Sequence, residues 1–355
     1  MMVHYKQFDN GIRLIVNKMS SLMSVTMGIL VHTGACVESN REDGISHFIE
    51  HMMFKGTKKR TAYMISDEMD RIGAQMNAFT GKAVTCYYAK STTGHAAEAF
   101  DILADLFLES TFPADEMEKE KGVIVEEINM NEDTPDDLCL DLLANAFYGE
   151  HGYGRNILGP AKNVMGFTKS DVAAYMDKHY IPDNIVISMA GNIEPSLAEE
   201  LVAKYFSSLE RKCCKRGEIK TELKGKSVFK KKEIEQVHVG IAFPSVKRYH
   251  KLYDATQVMN TVFGGGVSSR LFQTVREELG LAYTVYSYIS SYAETGALSI
   301  YAGVNSGKYL NSVDAVYGCI ADIKKNRITE EEFLRGKEQL ISSSIFSQES
   351  TSSQM

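Results

Sequence analysis

Six cysteines are present (Cys36, Cys86, Cys139, Cys213, Cys214 and Cys319), but no two stand at CxxC spacing and no regular framework is visible. That pattern suits reduced thiols in a reducing compartment rather than a disulfide scaffold. Long apolar runs are missing as well. No stretch approaches the roughly eighteen residues needed to cross a bilayer, and the start, MMVHYKQFDNGIRLIV, has no basic segment followed by an apolar one. The expectation is a cytoplasmic chain, neither exported nor anchored. Basic excess is also absent: the net charge is −7 and the pI near 5.8. This argues against nucleic acid or an anionic membrane as partner, and cationic or neutral substrates fit better. What remains is a globular chain of 355 residues, 44% hydrophobic and 24% charged, long enough for one large core or two ordinary ones.

The residue pattern predicts an α+β protein. QFDNGIRLIVNKM reads as a strand pair turned at Asn10-Gly11, and SVTMGILVHTGA as a strand. Residues 45–55 and 62–72 have helical apolar spacing, strands follow around NAFTG and VTCYYAKS, and helices are expected over 95–108 and 114–131. Thr134-Pro135-Asp136-Asp137 resembles a helix start, with a hydroxyl cap, proline in the first turn and acids at the positive end of the dipole. After the strand IVISMAGNI and a helix over 195–209, RKCCKRGEIKTELKGKSVFKKK (211–232) is basic and polar, and without interleaved aromatics it reads as a solvated linker. Beyond it the pattern repeats. SVTMGIL matches QVHVGIA (236–242), and FPADEMEKEKGVIVEE (112–127) matches ITEEEFLRGKEQLISS (328–343), as a duplicated αβ unit would. In that register Ser342 and Ser343 stand opposite Glu126 and Glu127, and 255–272 holds nothing like HFIEH. Only the first copy carries the polar cluster.

That cluster is in GISHFIEHMMFKGT (44–57). On a helix, His47 and His51 at i and i+4 project from one face and can converge on one ion, with Glu50 beside them. Two imidazoles so placed suit zinc, and a nearby glutamate can move a proton without coordinating. An ordinary surface turn with two histidines and a structural zinc site are the competing readings. A hydrolytic zinc wants a third protein ligand. In EMEKEKGVIVEEINM, Glu120 and Glu127 share a face while Glu126 is rotated by about 100°. Spacing favours Glu127 with Glu120 behind it, and Val123, Ile124, Val125 and Ile128 mark the helix as core.

HFIEH, followed 76 residues after its last histidine by the second glutamate of VIVEEI, resembles the inverted-motif zinc peptidases of the pitrilysin and insulinase family, peptidase family M16. The closest branch looks like bacterial relatives of the β subunit of the mitochondrial processing peptidase. The similarity extends through IGAQMNAFTGKAVTCYY, VIVEEINMNEDTPDD, HYIPDNIVISMAGNI and FGGGVSSRLFQTVREELGLAYTV.

The resemblance implies two homologous αβ domains of the processing-peptidase-like metallohydrolase fold, each a mixed or antiparallel sheet covered by helices, enclosing a chamber. They are expected as a catalytic domain over 1–210, a linker over 211–227, and a second domain over 228–355 that has no metal site and lacks the family's final helices. It implies that His47, His51 and Glu127 bind zinc, that Glu50 is the general base, and that Glu120 supports the ligands. Asn77, Ala78 and Phe79 match an edge strand that holds an unfolded peptide as an added strand. Arg276 and Tyr283 match residues that steady the oxyanion. Asp137 and Asp141 match acids that take a substrate arginine, and a homodimer is implied. The implied activity is a zinc endopeptidase acting on unfolded or presequence-like peptides. A non-catalytic scaffold subunit of the same family and a zinc hydrolase of small molecules are the alternatives.

Overall fold

A computed structural model describes residues 3–212, 219 and 223–355. In chain order the elements are β1 (Val3–Gln7), β2 (Arg13–Lys18), β3 (Ser24–Val31), α1 (Ile45–Met53), α2 (Ala62–Arg71), β4 (Gln75–Thr80), β5 (Thr85–Thr92), α3 (Ala96–Glu109), α4 (Ala114–Asp133), α5 (Pro135–Tyr148), α6 (Ala161–Gly166), α7 (Lys169–His179), β6 (Ile185–Gly191) and α8 (Pro195–Phe206). There follow β7 (Gln236–Ser245), α9 (Tyr253–Gly264), β8 (Ala282–Ser291), β9 (Gly296–Asn305), α10 (Tyr309–Asn326), α11 (Glu330–Gln348) and α12 (Thr351–Gln354).

The chain divides into two compact units, and the division is not one cut at the basic stretch. Met1–Asn129, Arg155–Ile219 and Ser347–Met355 form the first, and Met130–Gly154 with Lys220–Phe346 the second. Thus α5, which follows directly on α4, belongs to the second unit and packs along β7. The last residues belong to the first unit, where α12 lies on β3 and β6 and Thr26 Oγ1 donates to Thr351 Oγ1 at 2.8 Å.

The first unit is built on a six-stranded mixed sheet, ordered β1-β2-β6-β3-β5-β4, in which only β2 and β6 run parallel. Its first hairpin turns where the sequence predicts, with Gly11 at φ 100°, a value that costs glycine nothing. Strand β3 is buried along most of its length because it lies between β6 and β5, whereas the outermost strand β4 alternates exposed and half-buried residues. Against this sheet α1 contributes Ile45, Phe48, Ile49, Met52 and Met53, all fully buried, to one continuous apolar core. Each such side chain contributes about 1.5–3 kcal/mol on burial, enough to hold the polar remainder of α1 against the core. The second unit is smaller, with the antiparallel sheet β7-β9-β8 and its own core around Phe263, Leu271, Val275 and Ile300.

The start of α5 departs from expectation. Thr134 does not cap it: its hydroxyl donates back to the Met130 carbonyl at 2.8 Å, and no side-chain cap is present. Helix α4 ends one residue earlier, so the carbonyls of its last turn compete for that hydroxyl. Pro135, Asp136 and Asp137 do occupy the first turn. The basic stretch is exposed almost throughout where it is described, as a solvated linker would be, with Lys230 paired to Glu132, and Lys232 to the Glu132 carbonyl and Asp133. Cys213 and Cys214 lie outside the described residues. Cys36, Cys86, Cys139 and Cys319 carry free thiols.

Helix α7 ties α1 in place. The buried Tyr175 hydroxyl bonds to both Thr33 and Ser46 at 2.8 Å. The His179 ring lies 4.3 Å from the Tyr175 ring, and its Nε2 is buried with no hydrogen-bond partner among the described residues. Burial, and then the nearby Lys178, push His179 down to about 4. The unfolded chain therefore binds the extra proton near pH 6.5 and the folded chain only near 4. Stability is complete above about 6.5 and is lost as pH falls towards 4. His179→Phe should flatten this dependence: between pH 7 and 4.5 the urea-unfolding free energy of the variant should fall less than that of the parent, by at most about 3 kcal/mol. Parallel curves would show that His179 is not the titrating group.

Candidate metal centre

Helix α1 is amphipathic in an unusual sense. One face enters the core, and the other presents His47 (7% exposed), with Glu50 and His51 half-buried. The rings of His47 and His51 meet edge to face with centroids 4.5 Å apart, as one turn of helix requires. Helix α4 supplies the third group. Glu127 Oε2 stands 3.6 Å from His47 Nε2 and 3.5 Å from His51 Nε2. Among the described residues, His47, His51 and Glu127 form the single group of three or more such side chains whose ligand atoms lie within 4.8 Å of one another.

These separations are too long for hydrogen bonds. They are close to the roughly 3.3–3.5 Å expected between ligands placed about 2.0–2.1 Å from a tetrahedral zinc ion. The protonation pattern fits as well. Glu120, 5% exposed, lies 2.8 Å from His51 Nδ1, and a carboxylate that accepts from this N–H leaves the other ring nitrogen, the Nε2 that faces Glu127, as the one to meet a metal. Burial, and then the neighbouring His51, push His47 down to about 3, leaving that imidazole neutral and able to donate a lone pair. Two imidazoles and a carboxylate are a donor set that zinc accepts.

Three supporting residues were not singled out from the sequence. Lys55 Nζ lies 2.5 Å from Glu120 Oε2, so the buried carboxylate has a cation on one oxygen and an imidazole on the other. Lys55 is one turn beyond His51, and that i+4 spacing was a usable signal. Thr80 Oγ1 donates to Glu50 Oε2, and Thr80 directly follows Asn77-Ala78-Phe79 on β4. Glu50 is raised from its ordinary value by burial, an effect that the Thr80 bond partly offsets. The third, Glu38, accepts from the backbone N–H groups of Gly44 and Ser46, with no sequence signal to link it to a helix six residues away.

The core face of α4 is narrower than expected. Met117, Glu120, Lys121 and Ile124 are buried, whereas Val123 is 52% exposed and Glu126 points to solvent. Apolar residues in succession do not share a helical face, so the VIV run overstated the core. Asn77, Ala78 and Phe79 do lie on an outermost strand, with Phe79 46% exposed and the Ala78 N–H bonded to Asn77 Oδ1 at 2.8 Å.

In the second unit, Arg276 sits on a π-helical turn, Phe272–Glu278, its guanidinium 4.7 Å from the Phe272 ring and 5.4 Å from that of Tyr283. Tyr283 is 73% exposed, at an irregularity near the start of β8. Asp137 and Asp141 lie one turn apart on α5. Burial first, and among the charges Asp136 and Asp137, raise the hydroxyls of Tyr286 and Tyr301 on the neighbouring sheet.

Residues 14–161 match the family model described as Insulinase (Peptidase family M16), and residues 166–340 the model described as Peptidase M16 inactive domain. A Bacillus subtilis (strain 168) protein named "Uncharacterized zinc protease YmxG" is 44% identical over 98% of this chain and 85% of its own length. A Rickettsia felis zinc protease is 37% identical over 97% of this chain and 83% of its own length. The fold is shared with a protease from Helicobacter pylori (TM-score 0.91, 21% identity, 99% of this chain and 87% of that one). It is shared also with a peptidase M16 inactive domain from Pseudomonas fluorescens (TM-score 0.88, 22% identity, 97% and 84%).

The Glu120–His51 bond makes a quantitative expectation. Glu120→Gln keeps the shape of the side chain but weakens the acceptor, and should lower affinity for zinc about 10- to 100-fold in competition with a chromophoric chelator. An unchanged constant would mean that Glu120 serves the core rather than His51.

Proposed function

The chain belongs to peptidase family M16, and from that premise we propose that it is a zinc-dependent endopeptidase acting on extended peptides, with His47, His51 and Glu127 as zinc ligands and Glu50 as general base. The single observation that carries this is the convergence of both imidazole Nε2 atoms on Glu127 Oε2 at 3.5–3.6 Å, with Glu50 on the same helix. The names of the relatives, zinc proteases, support it. The free thiols suit a reducing compartment such as the cytoplasm.

Bound zinc would supply a Lewis acid that polarises the scissile carbonyl and raises the acidity of water. Glu50 takes one proton from the water as its oxygen bonds to the carbonyl carbon. It returns that proton to the amine nitrogen as the carbon–nitrogen bond breaks. Thr80 holds the carboxylate by one oxygen and leaves the other for the proton, and burial raises the carboxyl towards the range in which such exchange is efficient. An extended peptide pairing along the outermost strand β4 would be recognised by its backbone, which favours unfolded substrates. Within the second unit Arg276 has its guanidinium against Tyr283, a cation and a phenol of the kind that steadies an oxyanion. Asp137 and Asp141 offer paired carboxylates to a substrate arginine.

Glu50→Gln should retain zinc and lose peptide cleavage by about 10²–10⁴-fold, measured with quenched fluorescent peptides beside zinc analysis of both proteins. A chelator should abolish parental activity and added zinc restore it. A variant that binds zinc and still cuts at the parental rate would remove Glu50 from the mechanism; a zinc-loaded parent silent on all peptides would favour the scaffold reading. Asp137→Asn with Asp141→Asn should weaken cleavage of arginine-containing peptides selectively. Equal loss on peptides without arginine would show that the pair has no part in specificity.

A further inference from the structure

The two histidines of α1 are held in different ways. His51, in the last turn, is fixed by Glu120 through its own ring nitrogen. His47, in the first turn, has a buried Nδ1 with no hydrogen-bond partner among the described residues. Its direction must therefore come from the backbone that carries it. That backbone is the least tied part of any helix, since the first four N–H groups have no partner within the helix. Ser, Thr, Asp or Asn at the cap would normally supply an acceptor. Here the cap is Gly44 at φ 95°, which has no side chain to offer. A Cβ at that position would fall 2.6 Å from the Leu158 carbonyl oxygen, so the close packing requires glycine.

We propose that Glu38 is a positioning residue of this site: its carboxylate replaces the missing cap and thereby aims His47, and with it Glu50, at the point where Glu127 and His51 converge. This rests on the zinc-peptidase reading above. Glu38 Oε2 accepts from Gly44 N–H at 2.8 Å and Oε1 from Ser46 N–H at 2.9 Å. Both oxygens are thus used at the positive end of the helix dipole, one on the N–H of the cap residue and one on that of the second helical residue, while the Ile45 N–H between them donates to the Glu42 carbonyl at 2.8 Å. Ser46 immediately precedes His47. Glu38 is 5% exposed, and burial raises its carboxyl to about 7 in spite of these bonds. The segment that carries it is itself clamped: Arg155 donates to Asp43 Oδ2 at 2.8 Å and to Asn40 Oδ1 at 2.6 Å, and Asn163 Nδ2 to the Asn40 carbonyl at 2.9 Å. The carboxylate therefore transmits a fixed position to the helix.

The test uses the full chain with Glu38→Gln, which turns one acceptor into an N–H₂ facing a backbone N–H, and Glu38→Asp, which keeps the charge but shortens the reach. For each, the zinc dissociation constant is measured by chelator competition, the visible spectrum is recorded with cobalt in place of zinc, and kcat and KM are determined on a quenched peptide. Glu38→Gln should weaken zinc binding about 10- to 100-fold, alter the cobalt spectrum and lower kcat with KM unchanged, and Glu38→Asp should lie between it and the parent. A folded Glu38→Gln protein with the parental zinc constant, cobalt spectrum and kcat would overturn the proposal. So would a failure of both variants to fold, which would make Glu38 a requirement of the fold alone. A parent that takes up no zinc or cuts no peptide would instead refute the underlying reading, leaving the two failures distinguishable.

Discussion

One nine-residue helix has to be a core element and the carrier of a buried polar cluster at once. Ile45, Phe48, Ile49, Met52 and Met53 of α1 are removed from water entirely, and the histidines at 47 and 51 are carried with them. The apolar face fixes the axial position of the helix to within the tolerance of close packing. The polar face then needs groups that satisfy buried nitrogen and oxygen atoms, because an unpaired buried polar group costs about 1–3 kcal/mol. Much of the remaining structure around α1 answers this requirement: Glu120 and Lys55 behind His51, Thr80 on Glu50, Tyr175 on Ser46, and Glu38 on the first turn.

Four glutamates near α1 take four roles because their surroundings differ. Glu120 is buried between an imidazole N–H and an ammonium group. Glu127, one face-repeat further along α4, is half-buried and turned towards the two imidazole Nε2 atoms. Glu50 lies between the core and β4, with one oxygen held by Thr80 and its acidity lowered by burial. Glu38 uses both oxygens on backbone donors. Side-chain chemistry is identical in the four cases, and the roles follow from burial and partners.

In the repeat register read from the sequence, the second unit carries no counterpart of the His47, His51 and Glu127 group among the described residues. Strand β7 stands where β3 stands in the repeat register, and α11 where α4 does, but α11 carries Ser342 and Ser343 in place of Glu126 and Glu127. What this unit holds instead is a cation stacked on aromatic rings, Arg276 with Phe272 and Tyr283, and an acidic helix laid along its sheet. Such groups recognise charge and shape. A hydrolytic metal centre requires ligands converging on one point, and among the described residues this unit holds no such group.

The sequence by itself determined the main strands and helices of the first 210 residues, the hairpin at Asn10-Gly11, the i, i+4 histidines and the shared face of Glu120 and Glu127. All of these follow from periodicity, which acts over a few residues and is legible without a fold. It misjudged Thr134 and Val123, where competition for a carbonyl and the narrowness of a helical face decided the outcome. Only the tertiary structure decided that Glu127 Oε2 would meet both Nε2 atoms, that Thr80 would hold Glu50, and that Glu38 would stand in for an absent cap. It also decided that 130–154 and 347–355 would leave the units that chain order assigns them to. These depend on how α4, β4 and the 38–44 segment are placed around α1. That placement is set by packing of apolar surfaces distant in sequence, which no local pattern encodes.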